Sequence, residues 1–267
     1  MKHHPIGVFD SGLGGLTVVK AIQKEMPGEK LVYFGDTARI PYGTKSPETI
    51  IRYARQIIRF FRKEKKVKCV VVACNTSSAW ALETVRGEFP IPILGVIEPG
   101  AYAAVSVTRN GRIGVIGTEG TVASGAYVRA IHKIFPKAKV YSKACPLFVP
   151  LVEEGKLTGP VTEAVAREYL RPLLKAKIDT LVLGCTHYPL LKKTLAKVAG
   201  KRVRIVDSAE ETARSLHHNL AMHDVPMNGH GGCDYYVSDL SRKFKEQAQR
   251  FLGRSISKVD KIFIEKY

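Results

Sequence analysis

The chain of 267 residues contains no apolar run of the roughly 18–20 residues that a membrane-spanning helix needs. Its amino-terminal stretch, MKHHPIGVFD, lacks the apolar segment and small-residue cleavage site of an export signal. The expectation is a cytoplasmic protein that does not engage a membrane. Acidic residues are scarce, with 24 Asp and Glu against 42 Lys and Arg and a formal charge of +18. Such an excess can attract nucleic acid or small anions. The basic residues are scattered, however, as in RFFRKEKKVK (59–68), and match no nucleic-acid-binding motif. Cysteine is sparse as well. Cys69, Cys74, Cys145, Cys185 and Cys233 are odd in number, and no pair has the spacing of a zinc knuckle or a CxxC redox site. A disulfide framework is not expected in a cytoplasmic chain of this size. Taken singly, each cysteine reads as a small buried apolar residue.

What is present is a globular composition, 45% hydrophobic, long enough for one large or two modest domains. Strand-like and helix-like segments alternate. IGVF (6–9), LVYFG (31–35), CVVVA (69–73) and IPILG (91–95) are short, continuous and largely β-branched, the pattern of strands buried on both faces. Between them run helical patterns at 16–26, 47–65 and 78–86. This βα alternation implies a parallel sheet covered by helices. The pattern then restarts with RIGVIG (112–117), a helix over 122–134, AKVYS (138–142), helices near 148–154 and 160–175, DTLVLG (179–184), a helix over 189–198 and RVRIVD (202–207).

The restart reads as an internal duplication. IGVFDSGLGG (6–15) aligns with IGVIGTEGTV (113–122), and VVVACNTSS (70–78) aligns with LVLGCTHYP (181–189), in the same order and at nearly the same offset. The expected fold is therefore α/β, with two pseudo-symmetric domains, each a mainly parallel sheet flanked by helices, and a site in the cleft between them. The expected division is 1–97 plus 208–267 for the first domain and 98–207 for the second, with the boundary near IEPG (97–100).

In open parallel sheets, ligands bind at the carboxyl ends of the strands. Five polar stretches lie at such ends: DSGLGG (10–15), GDTARIPYG (35–43), CNTSS (74–78), GTEGT (117–121) and CTHYP (185–189). DSGLGG has three readings: a plain Gly-rich turn, a dinucleotide loop with Asp36 as the ribose acid, or a loop that turns Asp10 and Ser11 toward a substrate. Against the dinucleotide reading, Thr17 stands where close helix packing wants Gly or Ala. Cys74 and Cys185 each fall after a buried strand and before a helix, where a helix N-terminus lowers a thiol's pKa from about 8.5. His187 can serve as proton partner to Cys185, and Asp10 to Cys74 if the first and third strands are neighbours. A Cys–His metal site at CTH lacks further ligands at the right spacing. One reactive thiol suggests a nucleophile. Two thiols on matched loops suggest inversion at a carbon, one removing a proton from one face while the other delivers a proton to the opposite face.

FDSGLGGLTV, GDTARIPYG, ACNTSSA and GCTHYP together resemble the signature segments of the bacterial glutamate racemases, within the cofactor-independent aspartate/glutamate racemases. The resemblance runs over essentially the whole chain. It implies interconversion of L- and D-glutamate for peptidoglycan synthesis, with neither cofactor nor metal, and a tendency to form homodimers. It implies that Cys185 deprotonates L-glutamate with help from His187, and that Cys74 deprotonates D-glutamate with help from Asp10. Ser11, Pro41, Tyr42, Gly43, Asn75, Thr76, Thr118, Thr121, Thr186 and His187 would hold the substrate, with Glu153 a further acid nearby. A racemase acting on another amino acid, such as aspartate, would share the two thiols. A different class of rival is a basic protein that binds nucleic acid, or DNA gyrase, as a second role. Cys69, Cys145 and Cys233 are left as structural.

Overall fold

The computed structural model describes residues 4–222 and 231–267. Its strands form two separate sheets, parallel throughout. The first sheet is built from β1 (Ile6–Asp10), β2 (Leu31–Gly35), β3 (Cys69–Val72), β4 (Ile93–Gly95), β9 (Cys233–Val237) and β10 (Asp260–Lys261), in the order β10-β9-β2-β1-β3-β4. The second is built from β5 (Arg112–Gly117), β6 (Lys139–Ala144), β7 (Thr180–Gly184) and β8 (Arg204–Asp207), in the order β6-β5-β7-β8. Strip β9 and β10 from the first sheet and the remaining order, β2-β1-β3-β4, repeats that of the second. The duplication legible in the sequence is thus a duplication of topology, and β1 and β3 are neighbours, with Ile6 opposite Cys69 and Phe9 opposite Val72.

The helices in chain order are α1 (Leu16–Glu25), α2 (Pro47–Phe60), α3 (Asn75–Trp80), α4 (Leu82–Glu88), α5 (Ile97–Val107), α6 (Glu119–Ala123), α7 (Ala126–Ile134), α8 (Phe148–Glu153), α9 (Pro160–Lys175), α10 (Lys192–Ala199), α11 (Ser208–Met222) and α12 (Phe244–Leu252). Local chemistry explains their ends. Ser46 caps α2 by accepting from the Thr49 N–H at 3.3 Å, and Pro47 occupies the first turn, where its missing N–H costs nothing. Ile50, Ala54, Ile57 and Ile58 then form the buried stripe of that helix at helical spacing. The helix read over 122–134 is two helices, because Gly125 takes φ +65° and breaks the run. The one read over 78–86 starts earlier, at Asn75, and is interrupted at Ala81. The one read from Pro189 opens with a 3-10 turn over Tyr188–Leu191. IEPG forms the start of α5.

One continuous apolar cluster joins the two halves. It runs from Ile6 and Val8 of β1 through Leu16 and Val19 of α1, and through Leu216 of α11 and Phe251 of α12, to Leu181 and Leu183 of β7. Among the described residues no helix is long and apolar enough to cross a membrane.

Candidate active site

β1, β2, β3, β5 and β7 run at their carboxyl ends into the five polar loops singled out above, and these loops converge on a cavity of about 270 Å³. Ser11, Pro41, Tyr42, Gly43, Cys74, Asn75, Thr76, Thr118, Glu153, Cys185, Thr186 and His187 all line it. Asp10 and Thr121 do not; both are buried beside it. The sequence reading missed the apolar lining, Ile40, Val149 and Pro150. No local pattern marks these residues, since what brings them to the cavity is the meeting of two lobes.

On the first lobe Cys74 is the N-cap residue of α3, with extended backbone. Its Sγ lies 3.7 Å from Ser11 Oγ. A helix N-terminus was expected to lower this thiol's pKa, and the opposite holds. Burial, and then the nearby Asp10 charge, push it up to about 11 against hydrogen bonds from Ser77 and Ser11. The helix has only 6 residues, and taking a thiolate out of water outweighs its end charge. Asp10 Oδ2 accepts from Gly12 N–H at 3.0 Å, and its Oδ1 accepts from the Thr186 hydroxyl at 3.3 Å. Burial raises the Asp10 carboxyl, partly offset by the His187 charge and by the N–H groups of Gly12 and Gly15.

On the second lobe His187 Nε2 meets Glu153 Oε1 at 3.1 Å, and the ring also shares a hydrogen bond with Cys185. Burial alone would lower the imidazolium's pKa. The hydrogen bonds and charges of Cys185 and Glu153 prevail and push it up to about 10. At neutral pH the site therefore holds a cation beside the Cys185 sulfur. Tyr188, next in the chain, is fixed beneath by its hydroxyl's bond to the Cys145 carbonyl at 2.9 Å and by an edge-on contact with Phe148. Cys145 is thereby part of the floor.

The lobes are bonded to each other around the cavity, and the bonding is reciprocal. Asn75, which follows Cys74, accepts from the Tyr127 hydroxyl of the second lobe at 2.7 Å. Thr186, which follows Cys185, donates to Asp10 of the first. The Thr76 hydroxyl lies 2.9 Å from that of Thr118 and 3.2 Å from that of Thr121, and Gly120 N–H donates to the Gly43 carbonyl at 2.9 Å. Thr121 thus sets the hydroxyls that face the cavity. Tyr42 commits its own hydroxyl to Asp36, so what its loop offers a ligand is main chain and ring. Asn75 Nδ2 is buried with no protein partner among the described residues, a free donor at the cavity wall. Among those residues no group of three or more His, Cys, Asp or Glu side chains is placed to hold a metal ion.

A family model described as Asp/Glu/Hydantoin racemase matches residues 6–216. The chain belongs to that family. Family membership makes it an enzyme, an isomerase of the amino-acid racemase type. Within the family it is 52% identical to a glutamate racemase of Geobacter metallireducens, over 99% of this chain and 98% of that one. Among solved structures it is similar to the glutamate racemase isoform RacE1 of Bacillus anthracis, with a TM-score of 0.92, 41% identity and 98% of each chain covered. It is equally similar to the Francisella tularensis glutamate racemase in complex with D-glutamate, with a TM-score of 0.92, 38% identity and 100% of each chain covered.

Proposed function

We propose that this racemase interconverts L- and D-glutamate by two-base proton transfer at Cα. The observation that carries the reading is that Cys74 and Cys185, at equivalent positions of the duplicated lobes, line one cavity. In one direction the Cys185 thiolate takes the Cα proton of L-glutamate. The electron pair of that bond stays on Cα as a carbanion, and the Cys74 thiol delivers its own proton to the opposite face. The reverse direction exchanges the two roles. His187 assists Cys185, and Asp10 assists Cys74 through its charge. Asn75 Nδ2 and the hydroxyls of Ser11, Thr76, Thr118 and Thr186 hold the amino and carboxylate groups, and the Gly43 loop closes over them. The carbanion requires water to be excluded and fixed donors to be aimed at the developing charge, which suits a small cavity between lobes.

The near-full-length similarity to glutamate racemases supports glutamate over aspartate as the substrate. We divide the chain into 1–97 with 208–267 and 98–207, a division the sheet membership supports. A cytoplasmic role in supplying D-glutamate for peptidoglycan, and a homodimeric state, are inferred from the family resemblance. D-glutamate auxotrophy on depletion and light scattering in solution are their respective tests.

The decisive experiment follows circular dichroism and Cα deuterium uptake with L-glutamate in deuterated water, with aspartate as the comparison substrate. Wild type should lose optical activity while exchanging Cα hydrogen. Cys74→Ser and Cys185→Ser should each lower kcat/KM about 100- to 10,000-fold. Racemisation that survives either substitution would refute the two-base reading.

A further inference from the structure

Behind the second thiol stands a helix that the mechanism above does not use. α12 follows β9, a strand of the first sheet, and its buried residues Phe244, Ala248, Phe251 and Leu252 pack in part on α1. By chain position and packing it belongs with the first lobe, yet its last turn reaches the second. Phe251 meets the His187 ring edge to face, with centroids 5.1 Å apart and planes at 82°. Arg250 Nη1 donates to the Glu153 main-chain oxygen at 2.9 Å, and Gln247 Nε2 donates to the same oxygen at 3.4 Å. That oxygen is one of the carbonyls left over at the end of α8. Glu246 holds the Arg250 guanidinium in turn at 2.5 Å. Since the Glu153 carboxylate binds His187 Nε2, α12 grips the main chain of the residue that holds the imidazole and also packs on the imidazole itself.

We propose that α12 is a positioning element for the Cys185 half of the reaction, with Arg250 and Phe251 holding the Glu153–His187 pair against that thiol. This rests on the two-thiol reading above. The charged and titratable groups around His187 are Cys185 from its own loop, Glu153 from α8, Asp10 from the end of β1 and the Arg250–Glu246 pair of α12. Cys74 is held by a different set, Ser11 and Ser77. Loosening α12 therefore raises one proton-transfer barrier and spares the other. Displacement of a catalytic group by about an ångström costs roughly 100-fold in rate.

That asymmetry is measurable. With Cα-deuterated L-glutamate, Cys185 breaks the labelled bond; with Cα-deuterated D-glutamate, Cys74 does. In Phe251→Leu and Arg250→Met the isotope effect on kcat/KM should rise for the L enantiomer and fall toward unity for the D enantiomer. Both kcat/KM values should drop by a common factor of about 10 to 100, because the equilibrium between enantiomers is fixed at one. Arg250→Lys, which keeps a donor for the Glu153 oxygen, should recover most of the loss. The Arg250 side chain is about one-third exposed, so Arg250→Met leaves the core intact. A drop in rate that leaves both isotope effects at their wild-type values would reduce α12 to a structural support and overturn the proposal. So would unchanged kinetics. A wild-type protein that exchanges no Cα hydrogen would instead sink the two-thiol reading, and the proposal with it.

Discussion

The α-carbon of Gly14 has no room for anything larger than hydrogen where a side chain would stand. A Cβ built there would sit 2.1 Å from Thr186 Oγ1 and 2.6 Å from His187 Nδ1. Both of those side chains belong to the opposite lobe and are already bonded, Thr186 to Asp10 and His187 to Glu153, so making room disturbs the CTH contacts at the cavity. Gly14→Ala should therefore cost about 100-fold or more in kcat/KM and lower the melting temperature by a few degrees through overpacking of about 1–3 kcal/mol, which activity assays and thermal denaturation together will show. His187 supplies a second test at this scale. Its imidazolium is held to about pH 10, well above the ordinary value of 6.5. The stability it contributes is present in full below pH 6.5 and is lost as pH rises through 10. Urea denaturation of wild type and His187→Asn should show a gap that is widest near pH 6 and closes by pH 10, and kcat/KM for both enantiomers should fall above pH 10. The two thiols were legible as site candidates in the sequence because each stands at the end of an apolar run. Their electrostatics were not. Cys74's upward shift depends on the depth of burial and on a charge from another strand, and neither leaves a mark in the local pattern.

At the scale of elements, most of the strands and helices could be read from periodicity, because strands buried on both faces announce themselves as unbroken apolar runs. The misread boundaries share a cause. Gly125 splits one helix through its left-handed backbone, and the turn after Cys74 brings α3 in three residues early. Both are decided by conformations that apolar spacing does not encode. The tail residues Arg250 and Phe251 carried no signal at all, since their significance lies in what they touch. The short helix α6 offers a direct test of how local and long-range roles combine. Thr118 caps it by accepting from Thr121 N–H at 3.2 Å, and the same hydroxyl meets Thr76 across the cleft. Thr118→Ala should destabilise the protein by about 1 kcal/mol through the lost cap, read by urea denaturation. It should also raise KM, whereas Thr118→Ser should restore both.

For the whole molecule, a charge of +18 invites the question of nucleic acid. The lysines and arginines are dispersed, and several are already engaged by Asp or Glu, as in Arg55–Glu88 and Lys261–Asp239. The expected outcome is weak DNA binding at low salt that is lost by roughly 150 mM, with a steep dependence on salt concentration. Fluorescence anisotropy across a salt series will check it, and retention at physiological salt would point instead to a dedicated surface. The duplicated architecture was visible in the sequence as two aligned pairs of segments. The sheet order, with β9 and β10 added beside β2, and the contact of the tail with the second lobe came only with the structure.

The reciprocal ties between the lobes bear on how product leaves. Asn75 to Tyr127, Asp10 to Thr186 and Gly43 to Gly120 all span the same cleft. On the two-thiol reading, either enantiomer departs past the same latches, because each thiol's loop is fastened to the other side. On that reading the exit is blind to handedness, and only the two sulfurs tell left from right.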